Sequence, residues 1–237
     1  VDCGGPAAPA CADGLACELD ADCQSKVCSA TKRCVSAPSC RGALGPAGVD
    51  TCGSGEPGAP GAVVESCCRS LPLPKTADRA LDRYEITAGR LRAFIEALAA
   101  EGGEPNVRAF AKAYARANPG SELGRVQASF PGLLDVLPDR RSPAALLPLP
   151  VHLGAFPLDP INELDGCFIA PGAYAHATYW QPPEHLKPFG IGYPAGAPDG
   201  ARKLPREVLD AKSVNCVMPL LLAAFCAWDG GELARTT

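Results

Sequence analysis

Thirteen cysteines and three histidines carry most of the chemistry that this sequence can offer. Ten of the cysteines crowd into residues 1–68: Cys3, Cys11, Cys17, Cys23, Cys28, Cys34, Cys40, Cys52, Cys67 and Cys68. From Cys11 to Cys40 they recur with four or five residues between neighbours. Two chemistries compete for such a run. Zinc prefers paired Cys-x-x-Cys knuckles, and the stretch contains none. Disulfides suit a segment too short to bury an apolar core, and that density points to an oxidising compartment. Vicinal Cys67 and Cys68 rarely bond each other, because the ring is strained. One is expected to reach back into the small module and the other forward into the larger domain. Asp20 and Asp22 lack the glycine and distal glutamate of a calcium loop, so they read as a solvated turn.

The other three cysteines, Cys167, Cys216 and Cys226, stand far apart in sequence. Cys167 and Cys216 form one candidate pair, which leaves Cys226 as an inert buried thiol. Thiolates are soft ligands, so copper or redox chemistry is the alternative. The histidines are His152, His176 and His185. A mononuclear metal site wants two or three ligands at helical or hairpin spacing. His176 and His185 could converge in a folded loop, and surface or hydrogen-bonded loop histidines are the simpler reading. They lie among aromatics. Tyr174, His176, Tyr179, Trp180 and His185 make a candidate ligand-binding loop for a glycan or a peptide, or else that loop's own small core. No hydrolase triad, P-loop or dinucleotide fingerprint is present.

The elements that must position these residues are legible in part. Residues 1–40 read as a disulfide module and residues 41–68 as a Gly/Pro-rich linker. Residues 69–237 form the larger domain. A strand is expected over Leu81–Ile86. Thr87 then caps a helix whose Leu91, Phe94, Ile95 and Leu98 share one face. A second amphipathic helix is expected from Pro105 to Ala117, broken by Asn118-Pro119-Gly120. Residues 119–213 show no long periodic segment. The last helix begins at Pro219 and stops at Gly230-Gly231. It is apolar on every face, so burial on all sides is expected. About 12 apolar residues are too few for a bilayer, which needs roughly 20.

Two segments carry a family resemblance. Asn215-Cys216-Val217 with Ala224-Phe225-Cys226-Ala227-Trp228-Asp229-Gly230-Gly231 resembles a signature of the formylglycine-generating enzyme (sulfatase-modifying factor) family. Leu81-Asp82-Arg83-Tyr84-Glu85-Ile86-Thr87, followed by Arg90-Leu91-Arg92-Ala93-Phe94, is similar to its earlier Tyr-Glu-Val-Thr signature. In addition, Asp20-x-x-Cys23-x-Ser25-x-x-Cys28 resembles cysteine-rich repeats that precede secreted bacterial domains. The resemblance implies an α+β, loop-rich variant of the C-type lectin fold, incomplete here. It also implies a copper-binding cysteine pair and calcium ligands, but these belong to the family's C-terminal half, beyond the Trp-x-Gly-Gly segment. Cys216 and Cys226 match structural positions in the family. The sequence ends at Thr237, so copper and calcium are expected only if that half is supplied.

The net charge is −4 and the pI about 5.4, which does not suit nucleic-acid binding. Residues 1–68 carry 4 Lys/Arg and 8 Asp/Glu, while the remainder is balanced. The reading is therefore a secreted or cell-envelope protein, noncatalytic as given, that binds a protein or glycan at the cell surface. An oxidase of protein cysteines whose catalytic half lies elsewhere and a lectin-like recognition module are the alternatives.

Overall fold

The computed structural model describes residues 3–5, 8–12, 15–24, 28, 32–34, 37–40, 51–54, 60–73, 80–100, 106–137, 156–157, 165–170, 173–175, 178, 205–215 and 217–233. It is a mixed α+β arrangement of helices with small antiparallel sheets.

Among its described residues the N-terminal module has almost no apolar interior beyond its own sulfur. Cys11, Cys17, Cys23 and Cys34 are buried together, with Cys3 and Cys28 packed against them. Disulfides join Cys3 to Cys11, Cys17 to Cys28 and Cys23 to Cys34. Such crosslinks substitute for a core by restricting the unfolded chain. A short 3-10 turn at Pro38–Cys40 leads out of the module.

The stretch expected as a linker carries ordered structure. Strand β1 (Cys52–Ser54) pairs antiparallel with β2 (Val63–Glu65). A Cβ at Gly53, where φ is +138°, would lie 2.0 Å from the Val63 carbonyl oxygen, so the ribbon accepts only glycine there. Cys52 bonds Cys67 and Cys40 bonds Cys68. The vicinal cysteines thus both reach backward. This corrects the expectation that one would run forward into the larger domain.

Strand β3 (Ser70–Pro72) pairs with β4 (Ala80–Asp82). The expected strand over Leu81–Ile86 is therefore shorter, and the reason is a change of partner. The Arg83 amide still donates to the Arg69 carbonyl. By Ile86 the chain has turned to residues 212–214: Val214 N donates to Ile86 O and Ala88 N to Lys212 O. Among the described residues of the region without a long periodic segment, β5 (Phe156–Pro157), β6 (Asp165–Ala170) and β7 (Ala173–Ala175) form a sheet in that order.

Helix α1 (Ala88–Ala100) starts where Thr87 Oγ1 accepts from the Arg90 amide at 3.3 Å. Helix α2 (Val107–Ala117) is capped by Asn106, whose side chain accepts from Ala109 N at 2.9 Å. Helix α3 (Glu122–Ser129) is capped by Ser121. Helices α4 (Arg206–Asp210) and α5 (Pro219–Trp228) follow. Leu91, Phe94 and Ile95 of α1 pack with Val107 and Ala111 of α2, Leu123 of α3, Leu134 and Leu137, and Leu221, Ala224 and Phe225 of α5. Full burial of one such large side chain contributes about 1.5–3 kcal/mol. Helix α5 is not buried on every side: Leu221, Ala223, Ala224 and Phe225 are, while Leu222 and Cys226 are half-buried and Pro219 is exposed. Gly230, at φ +87°, ends it, and Gly231 N returns to the Cys226 carbonyl at 2.7 Å, the expected glycine stop.

Candidate functional site

Among the described residues two places concentrate polar side chains. The first is buried. Arg90 of α1 is 2% exposed and donates through Nη2 to Asp229 Oδ2 and through Nη1 to Asp82 Oδ2, each at 2.8 Å. Its Nε donates to Ser39 Oγ at 2.9 Å. Ser39 in turn donates to Asp229 from its amide at 2.7 Å and its hydroxyl at 2.9 Å. The Cys67 carbonyl accepts from Nη1 at 3.3 Å, and the Phe225 ring lies 5.7 Å from the guanidinium carbon. Burial alone would pull the Arg90 pKa down. Asp229 and Asp82 more than offset it, so the pKa is raised and the charge is held. The node joins the module's exit, the disulfide-bonded Cys67 and the end of α5. It is saturated with partners, which suits a structural lock.

Cys226 sits beside this node, half-buried and unbonded. Burial pushes its thiol up to about 12, and the nearby charges of Asp229 and Asp82 push the same way. A thiol so protonated at neutral pH is neither a nucleophile nor a ready metal ligand. The sulfurs of Cys17, Cys23 and Cys28 lie within 4.8 Å of one another. They belong to two neighbouring disulfides, Cys17–Cys28 and Cys23–Cys34, so they offer no thiolate to a metal.

Asp20 and Asp22 are spent within the module rather than simply solvated. Asp20 Oδ1 accepts from Cys28 N at 2.7 Å. Asp22 accepts from Gly5 N at 2.8 Å and from Glu18 N and Leu19 N at 2.9 Å each. Those backbone bonds, Leu19 first, hold its carboxyl below the ordinary carboxylate value.

The second place is an open cleft of about 570 Å³. Its near wall is the start of the β1–β2 ribbon, Thr51 to Gly53. The Cys52–Cys67 disulfide pins that wall, and so does Glu65, which binds Arg69, Arg83 and the Tyr84 hydroxyl. Arg83, Tyr84, Glu85 and Thr87 line it from the stretch before α1, and Glu207, Val208, Ala211, Lys212 and Ser213 from α4 and the turn after it. Helix α4 is held in place by the buried pair Arg92–Asp210 and by Arg206 with Glu96.

Of the residues proposed from sequence, Tyr174 lies on β7, opposite Phe168 of β6. His176, Tyr179, Trp180 and His185 lie outside the described residues, as do His152 and Cys216. For Cys167 the structure gives only its backbone place on β6, opposite Ala175, so the Cys167–Cys216 pairing falls outside the description. Thr178 ties this region to the cleft. Its hydroxyl donates to the Ser213 carbonyl at 3.0 Å, and its amide to Asn215 Oδ1 at 2.7 Å. Asn215 of the Asn-Cys-Val segment therefore anchors the chain immediately before Tyr179. Sequence reasoning missed the cleft, because its walls come from three stretches far apart in the chain. Comparison with protein-family models, curated proteins and solved structures gave no match.

Proposed function

We propose that this chain is a secreted or cell-envelope protein in which a disulfide-rich module precedes a formylglycine-generating-enzyme-like domain of the C-type-lectin type. In this reading it acts by binding or assembly, not by catalysis. The observation that carries the noncatalytic part is the state of Cys226. An oxidase of this kind needs two thiolates that share a soft metal, with a position open to oxygen. The Cys226 thiol is instead pushed up to about 12 and packed beside Phe225. Five disulfides fit an oxidising compartment. Among the described residues no helix is long and apolar enough to cross a membrane. Recognition of a glycan or peptide is the form of binding that the open cleft favours.

The test is direct. The purified chain is incubated with Cu(I), oxygen and a peptide carrying Cys-x-Pro-x-Arg, and the peptide is weighed by mass spectrometry. The expected result is unmodified cysteine. Turnover to the aldehyde, abolished by Cys226→Ser, would overturn the reading and make the chain an oxidase of protein cysteines.

A further inference from the structure

The cleft between β1 and α4 has an unbalanced supply of charge, and that imbalance selects a ligand. Among the described residues four ionisable side chains other than Tyr84 line it: Arg83, Glu85, Glu207 and Lys212. One of the two cations is already engaged. Arg83 pairs with Glu65 at 2.8 Å and lies 5.5 Å from the centre of the Tyr84 ring. That leaves two carboxylates against the single charge of Lys212. The two carboxylates are exposed, and among the described residues neither Glu85 nor Glu207 has a hydrogen bond or ion pair. They stand on different stretches, Glu85 before α1 and Glu207 on α4. A cation bound in the cleft would meet negative charge from two separate stretches of the chain.

The rest of the lining narrows the choice. Tyr84, Val208, Ala211 and the Cys52 disulfide give the cleft an apolar share. A bare metal ion would leave that apolar share unused. A lysine or arginine side chain is itself divided, an apolar stem ending in a charged head. That division matches a cleft that offers apolar surface and exposed carboxylates together. Its volume, about 570 Å³, falls within the roughly 300–1,000 Å³ of ordinary ligand sites and leaves room for backbone on either side of the cation.

We propose that this cleft binds a basic segment of a partner polypeptide, with a lysine or arginine side chain held between Glu85 and Glu207. The proposal rests on the binding reading above and names its ligand class. The aldehyde assay and the binding assay are separate measurements, so either idea can fail without the other.

The experiment uses the full, disulfide-intact chain labelled with nitrogen-15. It is titrated with the capped peptide Gly-Arg-Gly-Lys-Gly, with its counterpart carrying glutamine at both basic positions, and with spermidine. Saturable amide shifts are expected at Tyr84, Glu85, Thr87, Val208 and Ser213 with the basic peptide, and binding at least tenfold weaker for the glutamine peptide. The double variant Glu85→Gln/Glu207→Gln should bind the basic peptide roughly fivefold less tightly, the scale of two exposed ion pairs. Glu18→Gln, a distant exposed acid, should change nothing. Equal binding of the glutamine peptide, shifts centred elsewhere, an unchanged double variant, or a Glu18→Gln loss of the same size would each overturn the site. Spermidine binding as tightly as the peptide would overturn the assignment to a polypeptide partner.

Discussion

The module of residues 3–40 and the helical core solve the same problem by opposite means. In the module, cysteine sulfur fills the interior and two aspartates gather backbone amides. In the core, Leu91, Phe94, Val107, Leu123, Leu221 and Phe225 exclude water from one shared volume. The first solution depends on an oxidised state and on ionised carboxylates. The second depends on apolar area and shape. The two meet at Arg90, where Ser39 from the module's exit and Asp229 from the end of α5 share one guanidinium. Stability in this protein should therefore divide by perturbation: truncation strikes the core, reduction and acid strike the module, and loss of Arg90 strikes both.

The largest effect expected is in the core. Phe94 is fully buried and its ring lies 5.3–6.0 Å from those of Trp228, Phe110 and Phe225. Phe94→Ala should cost about 3–5 kcal/mol in chemical denaturation. A loss below about 1 kcal/mol would mean that the ring cluster does not organise the core.

Arg90→Met comes next, at about 3 kcal/mol, because it strands Asp229 in a buried place while keeping an apolar stem over Phe225. This variant also sharpens the comparison. If the node couples the two regions, amide exchange near Ser39 should accelerate along with that of α5. Acceleration confined to α5 would show that the module's exit is held by its disulfides alone.

Cys40→Ser/Cys68→Ser opens a connection of 28 residues. The expected loss is about 2–3 kcal/mol, less than an isolated loop of that length would give, because Cys52–Cys67 still closes 15 of those residues. Equilibrium denaturation of the variant checks it. A cost below about 1 kcal/mol would assign the docking to Arg90 rather than to the crosslink.

These residues also mark what a sequence can display. Helices α1 and α5 were legible because Thr87, Pro219 and Gly230 mark their ends and because the Leu91, Phe94, Ile95 spacing is local. Arg90 was not, since an arginine between apolar positions of a surface-type helix reads as solvent-facing. Its partners sit at positions 39, 82 and 229, and only folding brings them together. Helix α3 escaped notice because it is short and, of its residues, buries only Leu123 and Gly124. The signal was Ser121 as a cap after the Pro119-Gly120 break. Gly124 itself marks a close approach, where a Cβ would come within 2.4 Å of the Asn118 carbonyl oxygen. Disulfide density was readable from spacing, but partner choice was not, because each sulfur's neighbours depend on turns such as the one Asp22 organises. The cleft was illegible for the same reason as Arg90: residues 51–53, 83–87 and 207–213 become neighbours only once Cys52–Cys67 and Glu65 fix one wall against α4.

The smallest effect expected separates the two regions by pH. Asp22 receives three backbone amides, from Leu19, Glu18 and Gly5, and they hold its carboxyl below the ordinary value of 3.8. The folded module therefore binds this proton less readily than the unfolded chain does. The contribution of Asp22 is fully present above the ordinary value and is lost as pH falls through the lower, folded one. Among the described residues no carboxylate of the core gathers three amides in this way, Asp229 taking only that of Ser39, so acid at that level should leave the amides of Leu91 and Phe94 in place. Nitrogen–proton correlation spectra recorded from neutral pH downward should show the amides of Gly5, Glu18 and Leu19 moving together, with a common midpoint below 3.8. Asp22→Asn should abolish that shared step while the disulfides keep the module closed. A midpoint at or above the ordinary value, or three amides that titrate independently, would mean that the carboxylate does not gather them in solution. The module would then owe its shape to sulfur alone.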